Sequence, residues 1–154
     1  MYSKQEASLL TRQFWTSFGR YIAPVVSADG ERINWVNYKT GEKDIRFIMM
    51  ADNKAAKISI TLSHKDTALQ QLYFDKFVQL KKILHKILGE QWLWCSLTTD
   101  QNGGIVSEIY STLNNVNVLN KTDWPAIISF LKPRMIALDT FWCEYKYAFE
   151  GMGL

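Results

Sequence analysis

Apolar residues near the start of the chain recur every four positions: Leu10, Phe14, Phe18 and Ile22, with Tyr21 beside them. That period places them on one face of a helix. Ser3 followed by Glu6 supplies a capping box at its start, and Pro24 stops it. The pattern then changes to alternation. If Asp52-Asn53-Lys54-Ala55 is a loop, Ile45 faces Leu62, Phe47 faces Ile60 and Met49 faces Ile58. The same register pairs Arg46 with Thr61, Ile48 with Ser59 and Met50 with Lys57. One face is then apolar and the other mixed, and a slip of one residue would scramble both.

The stretch "INWVNYKTGEKDIRF" invites the same treatment. With Thr40-Gly41-Glu42-Lys43 as loop, Tyr38 faces Ile45, Val36 faces Phe47, Trp35 lies opposite Ile48 and Asn37 opposite Arg46. Both registers agree on the apolar face, which predicts a three-stranded meander. A helix follows over 66–88, capped by Asp66 and closed by Gly89, with Leu69, Leu72, Tyr73, Phe77, Leu80, Leu84 and Ile87 as its stripe. "QWLWCSLTT" and "GIVSEIY" flank a turn at 100–104 and read as a hairpin. "VNVLN" reads as a short extra strand.

Thr122 or Asp123 caps a last helix, with Pro125 in its first turn. Ile128, Leu131, Met135, Leu138, Trp142, Tyr145 and Phe149 repeat at heptad spacing. The stripe reads as a core helix; the alternative is a homodimer seam through Ile128, Leu131, Met135, Leu138, Trp142 and Tyr145. Pro133 predicts a kink near Leu131 and Lys132. The expectation is a single α+β domain over 1–154, in the order α-βββ-α-ββ-α. Its antiparallel sheet has about five strands, a meander plus a hairpin, packed on one face against three helices. Phe14, Phe18, Phe77, Leu80, Leu138 and Trp142 are placed in that core.

Composition bounds the class. The 154 residues are 47% hydrophobic, 21% charged and 14% aromatic, a globular balance on the scale of one domain. A net charge of +3 is too small to argue for nucleic acid on its own. Cys95 and Cys143 lie in apolar-aromatic stretches and read as free and buried. The polar start shows no signal-peptide pattern and no stretch reaches the length of a membrane span, so a soluble cytoplasmic protein without membrane contact is expected.

The chemistry is sparse. The element order matches a restriction-endonuclease-like core, which needs an Asp on one strand and an Asp/Glu-x-Lys on the next to hold Mg²⁺. Asp44 could be the first acid, but Lys57 to Ser63 contain no carboxylate. Two His and two Cys, widely scattered, do not make a zinc site; His64-Lys65-Asp66 offers at most two ligands. No phosphate-binding glycine motif is present, and Lys81, Lys82, His85 and Lys86 complement a helix C-terminus. The pattern implies no metal, no cofactor and no catalytic set.

What remains is the mixed face of the meander: Trp35, Asn37, Arg46, Lys57, Ser59 and Thr61, with Ile48. Aromatic and cationic side chains on a sheet are what single-strand nucleic-acid platforms use. The competing readings are a ligand or peptide surface, and a face covered by a helix with its polar groups satisfying each other.

The segments "FWTSFGRY", "ADNKAAKISITLSH", "QQLYFDKFVQLKKIL", "DWPAIISFLKPR" and "ALDTFWCEYKYAFE", with the stretch quoted above, resemble a bacterial family known only as a domain of unknown function. Short members of the Bacteroidetes type resemble this chain from end to end. Related domains stand C-terminal to restriction-endonuclease-like regions in longer proteins. The resemblance implies a bacterial, cytoplasmic protein and a self-sufficient domain; the mixed sheet face and the absence of a catalytic set point to a non-enzymatic binding or interaction module, accessory to DNA metabolism or defence. A degenerate nuclease and a homodimeric structural protein are the alternatives. The partner is left open between protein and nucleic acid, and no catalytic residue carries over.

Overall fold

The capping box at Ser3 forms as the sequence predicts. The Ser3 hydroxyl accepts from the Glu6 N–H at 3.1 Å and the Glu6 carboxylate accepts from the Ser3 N–H at 3.2 Å. From it runs α1 (Lys4–Ile22), with Phe14, Phe18 and Ile22 buried. The computed structural model, which describes residues 2–152, continues with β1 (Ile45–Ala51), β2 (Ala55–Leu62), α2 (Thr67–Gln79), α3 (Lys81–Leu88), β3 (Leu93–Thr99), β4 (Ile105–Asn114) and α4 (Trp124–Tyr145). Short 3₁₀ turns at Lys121–Asp123 and Lys146–Phe149 flank α4. The strands form one antiparallel sheet in the order β1-β2-β4-β3. α2 and α4 lie against it, and α1 and α3 pack on α4. Among the described residues no helix is long and apolar enough to cross a membrane.

The register of β1 with β2 is the one that alternation requires: Ile45 opposite Leu62, Arg46 opposite Thr61, Phe47 opposite Ile60, Ile48 opposite Ser59, Met49 opposite Ile58 and Met50 opposite Lys57. Asp52 closes the turn, its Oδ1 accepting from the N–H of Lys54 at 2.8 Å and of Ala55 at 2.9 Å. Asp66 caps α2 through Ala68 and Leu69, and Gly89 ends α3 in the left-handed region at φ 74°. The core gathers Phe14, Phe18, Phe77, Leu138 and Trp142 over Phe47, Ile58 and Ile60.

Three expectations are corrected. First, 33–39 is a loop and not the first strand of a meander. Its polar side chains bond to local backbone in place of a ladder. Asn34 Oδ1 accepts from the Asn37 N–H at 3.0 Å, and Thr40 Oγ1 accepts from the Glu42 N–H at 3.1 Å and donates to the Ile45 carbonyl at 2.7 Å. The parity inverts at Trp35 and Val36, while Tyr38 still packs against the core as expected. Trp35 is buried at 2% exposure, its Nε1–H on the Val25 carbonyl at 2.9 Å, while Val36 is 40% exposed.

Second, "VNVLN" is not a strand. Val116 and Val118 are buried below the β1–β2 turn, their N–H groups on the carbonyls of Lys54 and Asp52. The sheet therefore has four strands. Third, the helix expected over 66–88 is two, broken at Leu80 (φ −97°, ψ 8°), whose N–H turns back to the Phe77 carbonyl at 3.0 Å. The break lets α3 pack on α4.

In the last helix the leading reading holds: α4 is one helix that includes Pro133, and its heptad stripe faces inward. Leu131, Met135, Leu138 and Trp142 are buried in the chain's own core, with Ile128 and Tyr145 half-buried. Those side chains form no free seam for a second copy.

Candidate functional site

The residues singled out from sequence do not all meet. Arg46, Lys57, Ser59 and Thr61 share the sheet face opposite the core. Lys57, Ser59 and Thr61 line a cleft of about 390 Å³, roofed by the β3–β4 turn at Thr99–Asn102 and walled by Ile48, Met50 and Glu108. Much of its polarity is satisfied internally. Ser59 and Thr61 share a hydrogen bond of 2.9 Å, and Lys57 Nζ pairs with Glu108 at 3.1 Å while lying 4.4 Å from the Tyr110 ring centroid. β2 itself carries no carboxylate. Trp35 belongs to the core. Asn37 is exposed and lines a different pocket.

That second pocket is the better-built site. It holds about 410 Å³ between the 25–40 segment and the C-terminal half of α4. On its wall stands Asp139, 1% exposed. Its carboxylate accepts from the Ala28 N–H at 2.7 Å, the Ser27 hydroxyl at 2.9 Å and the Tyr38 hydroxyl at 2.6 Å. The Cys143 thiol, one turn along α4, lies 3.5 Å away. Three good donors are what a buried carboxylate needs in place of water. The local sequence explains the arrangement. Asp-Gly turn chemistry at Asp29 and Gly30 (φ 89°) bends the chain, and the Asn34–Asn37 turn brings Tyr38 back towards α4. Phe47 stacks on the Tyr38 ring at 5.1 Å and fixes it.

The electrostatics of this pocket oppose acid–base work near neutrality. Burial, then the hydrogen bond to Asp139, holds the Tyr38 hydroxyl far above the ordinary phenol range. Burial, reinforced by the charge of Asp139, pushes the Cys143 thiol up, although its contact with Ser27 acts the other way. Both groups therefore stay protonated at neutral pH. Lys39, Lys146, Asn34 and Asn37 line the pocket with Asp29. Among the described residues, neither lysine is in an ion pair. Nor is any group of three His, Cys, Asp or Glu side chains there placed to hold a metal ion.

Sequence reasoning passed over Asp139. Its signal was present: a lone acid among Met135, Ile136, Leu138, Phe141 and Trp142 on a strongly apolar helix. A carboxylate at such a position is buried only if donors reach it from elsewhere. Which donors reach it is not written in the local pattern, because Ser27 lies 112 positions away.

Comparison with known proteins adds a family and no activity. Residues 10–146 match the model of the family described as Domain of unknown function (DUF4268). No curated protein matches, and no solved structure does.

Proposed function

Because the chain belongs to the DUF4268 family, a domain of unknown function, no established activity carries over, and we propose from the geometry that it is a non-enzymatic binding module. Its ligand site is the pocket beside Asp139. One observation carries the reading: Tyr38 and Cys143 are both tied to Asp139 and held protonated, while among the described residues Lys39 and Lys146 on the pocket's rim are in no ion pair, Lys146 lying only over the exposed Tyr147 ring. A preformed concavity with a few convergent polar groups suits a small molecule. The two ammonium groups and the Asn34 and Asn37 amides suit an acidic group on the ligand, and the Asp29 and Asp139 carboxylates in the same lining suit a hydrogen-bond donor beside it. The resemblance adds the wider setting: a bacterial, cytoplasmic accessory to DNA metabolism or defence.

The test is a thermal-shift and chemical-shift survey with small carboxylates, phosphates and nucleotides. At least one class should bind, and Lys39→Ala combined with Lys146→Ala should abolish that binding while Cys143→Ala leaves it intact. Binding that ignores both lysines sinks the assignment.

A second reading rests on the sheet face opposite the core, where Ser59 and Thr61 are buried and Arg46 is exposed. Arg46, Lys57, Ser59 and Thr61 lie on it, and Met50 is 45% exposed there. With Lys57 paired to Glu108, Arg46 is the one unpaired cation on the described strands of that face. That composition favours a mixed apolar ligand over a nucleic-acid strand, which needs several phosphate contacts. Arg46→Ala and Met50→Ala should weaken such a ligand and leave the Asp139 pocket unaffected; unchanged binding rejects the face.

A further inference from the structure

The sheet ends in two unlike edges. β3 is interrupted. Its register with β4 shifts between Cys95 and Thr98, and Leu97, at φ 49°, donates its N–H to Ser107 Oγ at 3.0 Å. Bulges of this kind keep an edge from templating another strand. β1 is less protected: Ile45–Ala51 pairs without a bulge and contains no Pro or Lys, and its one charge is Arg46 near its start.

Hydrogen bonding shows which groups the β1 edge presents. The Ser63 N–H donates to the Asp44 carbonyl and the Asp52 N–H to the Ala55 carbonyl, each at 3.0 Å. Bonded pairs alternate along an antiparallel ladder, so Arg46, Ile48 and Met50 exchange bonds with β2. Ile45, Phe47, Met49 and Ala51 then direct N–H and C=O outward. Ile45 confirms the parity: its N–H meets the Glu42 carbonyl at 3.3 Å and its carbonyl accepts from Thr40 Oγ1 at 2.7 Å. For Phe47, Met49 and Ala51 the described residues supply no such partner.

We propose that a second copy of this chain supplies it, with β1 pairing antiparallel to β1 about a two-fold axis at Met49 and joining two sheets into one. The side chains of Arg46 to Asp52 are complementary to themselves in that register. Phe47 stands opposite Ala51 on the core side, large against small. On the open side Ile48 stands opposite Met50, and Arg46 opposite Asp52. Both charged residues are exposed, and Arg46 has no ion-pair partner among the described residues. The Asp52 Oδ1 is engaged by its turn, and the hydrogen bonds leave Oδ2 free. A segment that begins with a cation, ends with an anion and is apolar between them is what an isologous contact needs, since each residue meets its partner twice. A contact of one strand pair is small, so the dimer is weak and concentration-dependent.

Sedimentation equilibrium of the full chain over a rising concentration series tests this. The wild type should shift from monomer to dimer. Arg46→Glu sets two like-charge pairs across the axis and should weaken the dimer about tenfold. Ile48→Lys, which puts a cation on the bare edge, should leave a monomer. Circular dichroism should show both variants folded, and because Arg46 is exposed its variant keeps the test valid if Ile48→Lys does not fold. A wild type that stays monomeric at every concentration, or a dimer that Arg46→Glu leaves unchanged, overturns the proposal.

Discussion

Two buried polar residues fasten the irregular parts of this molecule, and they do it with opposite chemistry. Asp139 on α4 only accepts, so each of its partners in the 25–40 segment is a donor: Ser27, Ala28 and Tyr38. Gln70 on α2, fully buried, does both. Its Nε2 donates to the carbonyls of His64 and Ile105 at 3.0 Å each, and its Oε1 accepts from Ser107 Oγ at 2.6 Å. Ser107 Oγ in turn accepts from Leu97 at the β3 bulge. The amide closes a neutral circuit sealed inside the fold, whereas the carboxylate leaves a charged wall on a pocket. A protein that needed only to pin a loop could have used an amide twice. The charged version at the pocket sharpens the case for that pocket as the working site.

The largest effect should come from Asp139→Ala. It strands three donors at a buried position, which costs roughly 3–5 kcal/mol in urea unfolding, with 25–40 becoming the preferred site of protease nicking. Gln70→Ala should cost less, about 2–3 kcal/mol, because the hydrogen bonds it removes join neutral partners, whereas those to Asp139 end on a carboxylate. If the order reverses, the carboxylate is no more than a neutral staple and the comparison breaks. Tyr38→Phe removes one donor and keeps the ring on Phe47, so about 1–2 kcal/mol is expected.

Acidity and alkalinity should separate the two clusters most gently of all. Burial holds His64 below the ordinary histidine pKa against the opposing charge of Asp44, and burial with Lys81 does the same for His85. His85 Nε2 accepts from the Trp92 N–H and the Trp94 indole, and among the described residues His64 Nδ1 is buried without a partner. Above about pH 6.5 they are neutral folded and unfolded, and their contribution is intact. As pH falls below that value the unfolded chain takes up protons first, so stability declines; His64 lies beside the Gln70 cluster, its backbone carbonyl accepting from Gln70 Nε2, and His85 lies apart from it against Trp92 and Trp94. Tyr38 and Cys143 work in reverse. Their folded pKa values are raised, so their contribution is full in acid and is lost as pH rises past about 8.5–10, where the unfolded groups ionise. Urea midpoints in mild acid, at neutrality and in mild alkali should fall on both sides. In Tyr38→Phe the alkaline limb should shrink and the acid limb remain.

Legibility followed the range of the forces involved. The β1–β2 register could be read because each alternate side chain faces the same core and a slip would invert them all. The caps at Ser3, Asp66 and Gly89 involve groups within a turn of each other, so local spelling was enough. The same alternation misled at 33–39, where "NWVNYKT" looks like a strand. There Asn34 and Thr40 satisfied the backbone locally, and Trp35 found the core from a loop. Of the proposed sheet-face set, Arg46, Lys57, Ser59 and Thr61 rested on the reliable register and meet on one face. Trp35 and Asn37 rested on the other and do not.

By itself, the sequence determined the elements whose partners are neighbours in the chain or in one ladder: α1, the β1–β2 pair, the β3–β4 hairpin and the inward stripe of α4. Periodicity and capping are short-range, and the cost of misplacing them is paid at once. Only the tertiary structure decided that 25–40 would be a loop held by a carboxylate 111 positions away from Ala28, that the helix after β2 would break at Leu80, and that β1 would end the sheet with one edge open. Those outcomes depend on which distant groups arrive at a given place, and a buried charge or a bare strand edge acquires its meaning only from what stands beside it.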